Sequence, residues 1–173
     1  FVNSSLQCPG HIDLKTNGEP LTSSFVDLNM SKLKHNTQTD KITIVPGFYG
    51  ISDTGNICLV GRGGSDYSAA FIAKKINASK LVFWKDTHGV RSADPKFVTA
   101  TQLVKHLSFN ALSIMEQTGA AIMHPRVTQE IKNTDIQIHF NNPGIINNPV
   151  TTIQCSEKIT EKPIIITTGD KQH

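Results

Sequence analysis

Gly61-Arg62-Gly63-Gly64-Ser65-Asp66-Tyr67-Ser68-Ala69-Ala70 decides how the rest of the chain is read. A glycine loop, a guanidinium, a hydroxyl and a carboxylate fall within six residues, and a helix follows. Gly63-Gly64 permits backbone geometries that other residues resist. Amides exposed there, with the free N–H groups of the helix start, can face an anion. Arg62 can grip a carboxylate or phosphate through a bidentate fork, and Ser65 can add a hydroxyl. Asp66 would repel a bare phosphate, so it suits a ligand that is also cationic, as an amino acid is. The competing reading is a tight turn in which Ser65 or Asp66 merely caps the helix.

The loop is not a Walker A motif, which needs Gly-Lys-Ser/Thr after four intervening residues. It is not a Gly-x-Gly-x-x-Gly fingerprint either, because Asp66 stands where the last glycine belongs.

Outward from the loop, Lys41–Val45 and Ile57–Val60 read as strands, with Ser52–Asn56 a hairpin-like turn between them. Phe48–Ile51 reads as loop, and Asn36–Asp40 as a polar turn. Ser65–Ile76 carries apolar residues at helical spacing and three alanines, and Asn77 stops it. Leu81–Trp84 is the next buried strand. Strand, glycine loop, helix, strand predicts a βαβ unit with a parallel pair and a right-handed crossover. Ser108 caps a helix to Thr118 that ends at Gly119, and Pro125 opens another to Ile131. Ile136–Phe140, Thr151–Cys155 and Ile164–Thr168 complete the strands. Residues 1–24 read as an irregular lead-in, and Phe25–Leu33 is ambiguous in type.

Composition excludes more than it assigns. The 173 residues are 38% hydrophobic, 18% charged and 6% aromatic, with a formal charge of +3 and no basic block. This fits one globular domain and predicts no nucleic-acid surface. No run approaches the ~18 apolar residues of a membrane helix. The three cysteines, Cys8, Cys58 and Cys155, are widely spaced. They predict free thiols in a reducing compartment, hence the cytoplasm, and no metal site. The opening, Phe1-Val2-Asn3, is expected to be that of a fragment or processed product.

A second candidate group is Lys85-Asp86 with Gly89, in the polar loop after Leu81–Trp84, where open α/β sheets place ligands. Lys85 can meet a polyphosphate. Asp86 can hold Mg²⁺ indirectly or accept from a ribose or purine. A solvated loop charge pair explains them equally well.

Five segments, taken in order, carry a resemblance. They are Gly47-Phe48-Tyr49-Gly50, the Gly61–Ala70 block, Trp84-Lys85-Asp86-Thr87-His88-Gly89-Val90, Ala93-Asp94-Pro95, and Gly119-Ala120-Ala121-Ile122-Met123-His124-Pro125. The chain resembles the aspartokinases of the amino acid kinase family, from about residue 25 to residue 153. The resemblance implies an α/β, three-layer αβα fold with a mostly parallel central sheet. It implies transfer of the ATP γ-phosphoryl group to the β-carboxylate of L-aspartate. Arg62, Gly63, Gly64 and Ser65 would then bind aspartate, and Asp66 would be the catalytic-site carboxylate, in an orienting or electrostatic role. Lys85 and Asp86 fall where the family's Thr-Asp contacts the nucleotide, with Gly89 in the same loop. Arg91 and Lys96 fall where it has Tyr and Arg near ATP. Mg²⁺ would arrive with the nucleotide.

The chain also departs from the pattern. The family's Lys-Phe-Gly-Gly segment, which supplies a lysine on the phosphoryl path, is not in it. Ala121 stands for a nucleotide-contacting lysine, Lys85 for Thr, and His88 for Asp or Pro. Pro149-Val150-Thr151 replaces Pro-Gly-Thr. The expected organisation is a lead-in at 1–24, the C-terminal part of an amino acid kinase-like domain at 25–155, and a tail at 156–173 that starts a regulatory domain. Expected partners are L-aspartate, ATP, and a complementary N-terminal kinase segment or a second copy, with little turnover by the chain alone. The alternatives are a non-catalytic homologue acting as a binding or regulatory partner, and a kinase of another amino acid or small anion.

Overall fold

The computed structural model describes residues 3–33, 41–86, 89–94, 97–117, 119–120, 122–144 and 150–154. Two compact units divide at Asn77 and Ala78. Lys96, Ala121, His88, the turn at Asn36–Asp40 and the strand expected at Ile164–Thr168 lie outside the described residues.

The first unit contains strands β1 (Asn3–Leu6), β2 (Lys15–Asn17), β3 (Ser24–Asp27), β4 (Lys41–Ile44), β5 (Tyr49–Ile51) and β6 (Ile57–Leu59), then helix α1 (Gly64–Lys75). β1 and β4 form a parallel pair, and β3-β2-β5-β6 form a mixed sheet in that order. Phe48–Ile51 is therefore not simply loop. The Ser52–Asn56 turn is closed by Ser52 N–H to the Asn56 carbonyl at 2.9 Å, and it folds Tyr49–Ile51 antiparallel onto β6.

Helix α1 buries Tyr67, Ala70, Phe71 and Ala73. Tyr67 and Phe71 join Ile12, Leu14, Phe25, Leu28, Leu33 and Val60 in one core cluster. The Phe25 ring lies 5.0 Å from Tyr67 and 5.3 Å from Phe71, and the Phe25 amide donates to the Tyr67 hydroxyl at 3.2 Å. Burying each such side chain contributes about 1.5–3 kcal/mol, enough to fix the helix on the sheet. Asp66 in its first turn and Lys74 and Lys75 in its last complement the helix dipole.

The second unit contains β7 (Lys80–Trp84), β8 (His106–Ser108), α2 (Phe109–Gln117), α3 (Pro125–Ile131), β9 (Gln137–Asn141) and β10 (Thr151–Gln154). Its sheet runs β7-β9-β10-β8, with β7 parallel to β9, β9 antiparallel to β10, and β10 parallel to β8. Alternation puts Leu81, Phe83, Leu107, Ile138, Phe140 and Ile153 in the interior. The buried residues of α2 and α3 are Phe109, Leu112, Met115, Val127, Thr128 and Ile131. Both helices begin as their sequences require. Ser108 Oγ accepts from the Ala111 amide at 3.1 Å, and Pro125 opens α3 after a His124 cap.

Two further expectations are corrected. β6 and β7 do not form a parallel βαβ pair; they belong to different sheets. β6 is paired by its hairpin to β5, and β7 finds β9, far along the chain. Neither Ser65 nor Asp66 caps α1. The N-cap is Gly63, at φ 70°, with no side-chain cap bond.

Candidate functional site

In the first unit, Arg62, Gly63, Gly64, Ser65 and Asp66 occupy the junction of β6 and α1. Gly63 takes a left-handed conformation that only glycine adopts readily. The chain can thus turn sharply out of β6 and begin the helix without a side chain folded back over its amides. The early N–H groups of a helix have no intrahelical acceptor. The Tyr67 amide finds the Gly63 carbonyl at 3.0 Å, and the Gly64 amide finds Gly61 at 3.0 Å. Arg62 and Ser65 are exposed, and Asp66 is half-buried.

The junction is held from behind by residues that the motif reading did not single out. Ser68, buried one turn into α1, donates from Oγ to the Gly64 carbonyl at 2.7 Å and accepts from the Phe48 amide at 2.9 Å. The Val60 amide donates to the Phe48 carbonyl at 3.0 Å. Phe48 is thereby pinned at both main-chain groups, at φ 79°, a strained value for a residue with a Cβ. Its ring and Val60 close over Gly64, where an added Cβ would meet each at 2.7 Å. The signal was present in Gly47-Phe48-Tyr49-Gly50 preceding the glycine block. What sequence cannot display is that Ser68 ties the two together. Beneath, burial pushes the Tyr49 phenol above its ordinary range, and the neighbouring Cys8 thiol adds to the effect.

In the second unit, Lys85, Asp86, Gly89 and Arg91 follow β7. The Lys85 amide continues the ladder to the Asn141 carbonyl at 2.9 Å, and its ammonium stands 5.5 Å from the centre of the Phe83 ring. The Asp86 carbonyl accepts from Asn142 Nδ2 at 3.2 Å, leaving an exposed residue whose backbone is fixed. Gly89 has φ 77° and no room for a side chain. A Cβ would meet Thr151 Oγ1 and Val150 Cγ1 at 2.7 Å. Thr151, fully buried, explains the crowding: its Oγ1 accepts from the Val90 amide at 3.0 Å and donates to the Val104 carbonyl at 2.8 Å. Arg91 is half-buried, with Nε donating to Thr101 Oγ1 at 3.1 Å. Each unit thus gathers its own candidates. Lys96 is the one proposed site residue outside the described residues.

No group of three or more His, Cys, Asp or Glu side chains converges among the described residues. In the loop after β7, Asp86 offers an exposed carboxylate. No described helix is long and apolar enough to cross a membrane.

The amino acid kinase family model matches residues 2–142. The chain is 28% identical over 142 residues to the aspartokinase of Geobacillus stearothermophilus, covering 82% of this chain and 34% of that one. It is 32% identical over 129 residues to the aspartokinase of Chlamydia trachomatis, covering 74% of this chain and 30% of that one. A crystal structure of E. coli aspartokinase III in complex with aspartate and ADP matches with a TM-score of 0.77 at 24% identity, over 88% of this chain and 35% of that one. The chain therefore spans about a third of the length of these relatives. It shares their α/β fold, with mixed sheets and few helices, and it belongs to the amino acid kinase family.

Proposed function

We propose that the chain serves an ATP-dependent, aspartokinase-like phosphorylation of the L-aspartate β-carboxylate. The product is 4-phospho-L-aspartate, the first intermediate toward lysine, threonine and methionine, made in the cytoplasm. One observation carries the reading: Arg62 and Ser65 stand exposed about a glycine pair at a helix N-terminus, backed by the Ser68–Phe48 brace. A carboxylate pairs there with the Arg62 guanidinium and accepts from Ser65 Oγ. Asp66 complements the substrate ammonium, a role no simple phosphate ligand would need.

On the nucleotide side, Lys85 meets the polyphosphate and Asp86 takes the ribose, the base or a Mg²⁺-bound water. Gly89 lets the loop pass close to Thr151, and Arg91 and Lys96 add positive charge. Mg²⁺, when bound with ATP, neutralises charge on the triphosphate. The chain's own part is positioning and electrostatic stabilisation, and no covalent enzyme intermediate is required. In this reading residues 25–155 are the C-terminal part of a kinase domain and residues 156–173 lead toward a regulatory one. A complementary segment or a second copy completes the site.

The test is trapping of the acyl phosphate as its hydroxamate, with the chain alone and with an aspartokinase N-terminal segment carrying Lys-Phe-Gly-Gly. Hydroxamate formed with the pair and lost in Arg62→Ala supports the proposal. No hydroxamate with either sinks it. A second reading, a non-catalytic partner that binds aspartate, is favoured by Lys85 and Ala121, which alter the phosphate-handling positions. It expects aspartate binding with no turnover in any assembly. A panel of glutamate, acetylglutamate, carbamate and UMP separates both from a kinase of another substrate.

A further inference from the structure

We infer that Trp84 and Asn141 form the base-recognition end of the nucleotide site, with Trp84 as a stacking platform and Asn141 reading the edge of an adenine. This rests on the nucleotide reading of the Lys85–Gly89 loop and goes beyond it by naming what selects the base.

Three observations converge. Trp84 is the last residue of β7, immediately before Lys85-Asp86, yet its indole is 60% exposed. The exposed indole offers a broad apolar face on which a flat ring can stack. Asn141 is its partner in the parallel β7–β9 register, so both side chains leave the same face of the sheet. Asn141 Oδ1 is buried with no hydrogen-bond partner, a condition that buried polar atoms rarely keep. Stacking asks only for a π-face and is tolerant of sequence. A side-chain amide, by contrast, matches the N6 donor and N7 acceptor of adenine with its own acceptor and donor. Turning the Asn141 amide out to a base stacked on Trp84 exchanges an unpartnered acceptor for a paired one. The main chain beneath is fixed, because the Asn141 carbonyl already accepts from the Lys85 amide at 2.9 Å.

Trp84 is the chain's single tryptophan, so its fluorescence reports this site without interference. Titration with MgATP is expected to quench it saturably, and titration with magnesium tripolyphosphate to leave it unchanged. By calorimetry, Trp84→Ala weakens ATP binding about 5- to 100-fold with tripolyphosphate affinity unaltered, whereas Trp84→Phe keeps binding within a few-fold. Asn141→Ala lowers the preference for ATP over GTP by about fivefold or more. The inference is overturned, and the kinase reading left standing, if ATP binds without a fluorescence change and Trp84→Ala binds it as tightly as the parent. If neither ATP nor tripolyphosphate binds, both fall together. Circular dichroism of Trp84→Phe and Trp84→Ala separates a lost contact from a lost fold.

Discussion

Gly89→Ala applies two distinct stresses, and they can be measured apart. The residue sits at φ 77°, so any Cβ costs about 1–2 kcal/mol in backbone strain. The added methyl would also stand 2.7 Å from Thr151 Oγ1 and Val150 Cγ1. Neither can yield easily: Thr151 is fully buried and held by two hydrogen bonds, and Val150 is buried. Overpacking of that kind costs about 1–3 kcal/mol, and weakening the Val90–Thr151 bond adds about 1 kcal/mol. Gly119→Ala is the control, because Gly119 has φ 93° but nothing within 4 Å of its would-be Cβ. It lies in the same unit, and the loss of unfolded-chain freedom on going from Gly to Ala is common to both. Gly89→Ala should therefore be the less stable by about 2–4 kcal/mol. In urea, at a slope of about 1–2 kcal/mol/M, its midpoint falls by a further ~1–4 M. Trp84 fluorescence follows the unfolding of this unit. Equal midpoints for the two variants would refute the close approach of Gly89 to Thr151, and with it the constraint on the loop.

Other perturbations test the first unit and the sheet. Ser68→Ala removes the brace between α1 and Phe48 and leaves a main-chain donor unpaired, costing about 1–3 kcal/mol by thermal or urea denaturation; an unchanged midpoint would contradict the brace. Arg62→Ala, at an exposed position, should alter stability by less than about 0.5 kcal/mol while weakening L-aspartate binding about 10- to 100-fold, read by calorimetry. His139 gives a pH dependence of definite sign. Burial, then the charge of Lys80, holds its imidazole below the ordinary 6.5. The unfolded chain consequently binds the proton more readily, so stability is complete above about pH 6.5 and declines as pH falls through the folded value. Denaturation midpoints measured from pH 7.5 down to 5 should fall, and His139→Gln should remove part of that slope.

The elements legible in the sequence were those whose cause is local. Pro125 marks the start of α3, and Lys41–Ile44 is a β-branched run. Helix α1 is written in its alanines and in the spacing of Tyr67, Ala70 and Phe71. What escaped depends on partners remote in the chain. Tyr49–Ile51 has a glycine at its centre and is held as a strand by β2, far earlier in the chain, as well as by the β6 hairpin. His106–Ser108 is a three-residue strand defined by β10. The βαβ expectation failed for the same reason, since local order does not say that β7 pairs with β9. At the candidate site, Arg62 and Ser65 are exposed beside the glycine pair, but the cap is Gly63 and neither Ser65 nor Asp66. The supports Ser68, Thr151 and Asn142 are ordinary polar residues until folding buries them against a particular main-chain group.

Calorimetric titration of L-aspartate into the chain and into Arg62→Ala tests the central claim most directly. The account predicts saturable binding to the parent, preferred over L-glutamate and D-aspartate, and at least about tenfold weaker binding to the variant. Binding of equal strength to both, or none to the parent, would contradict it.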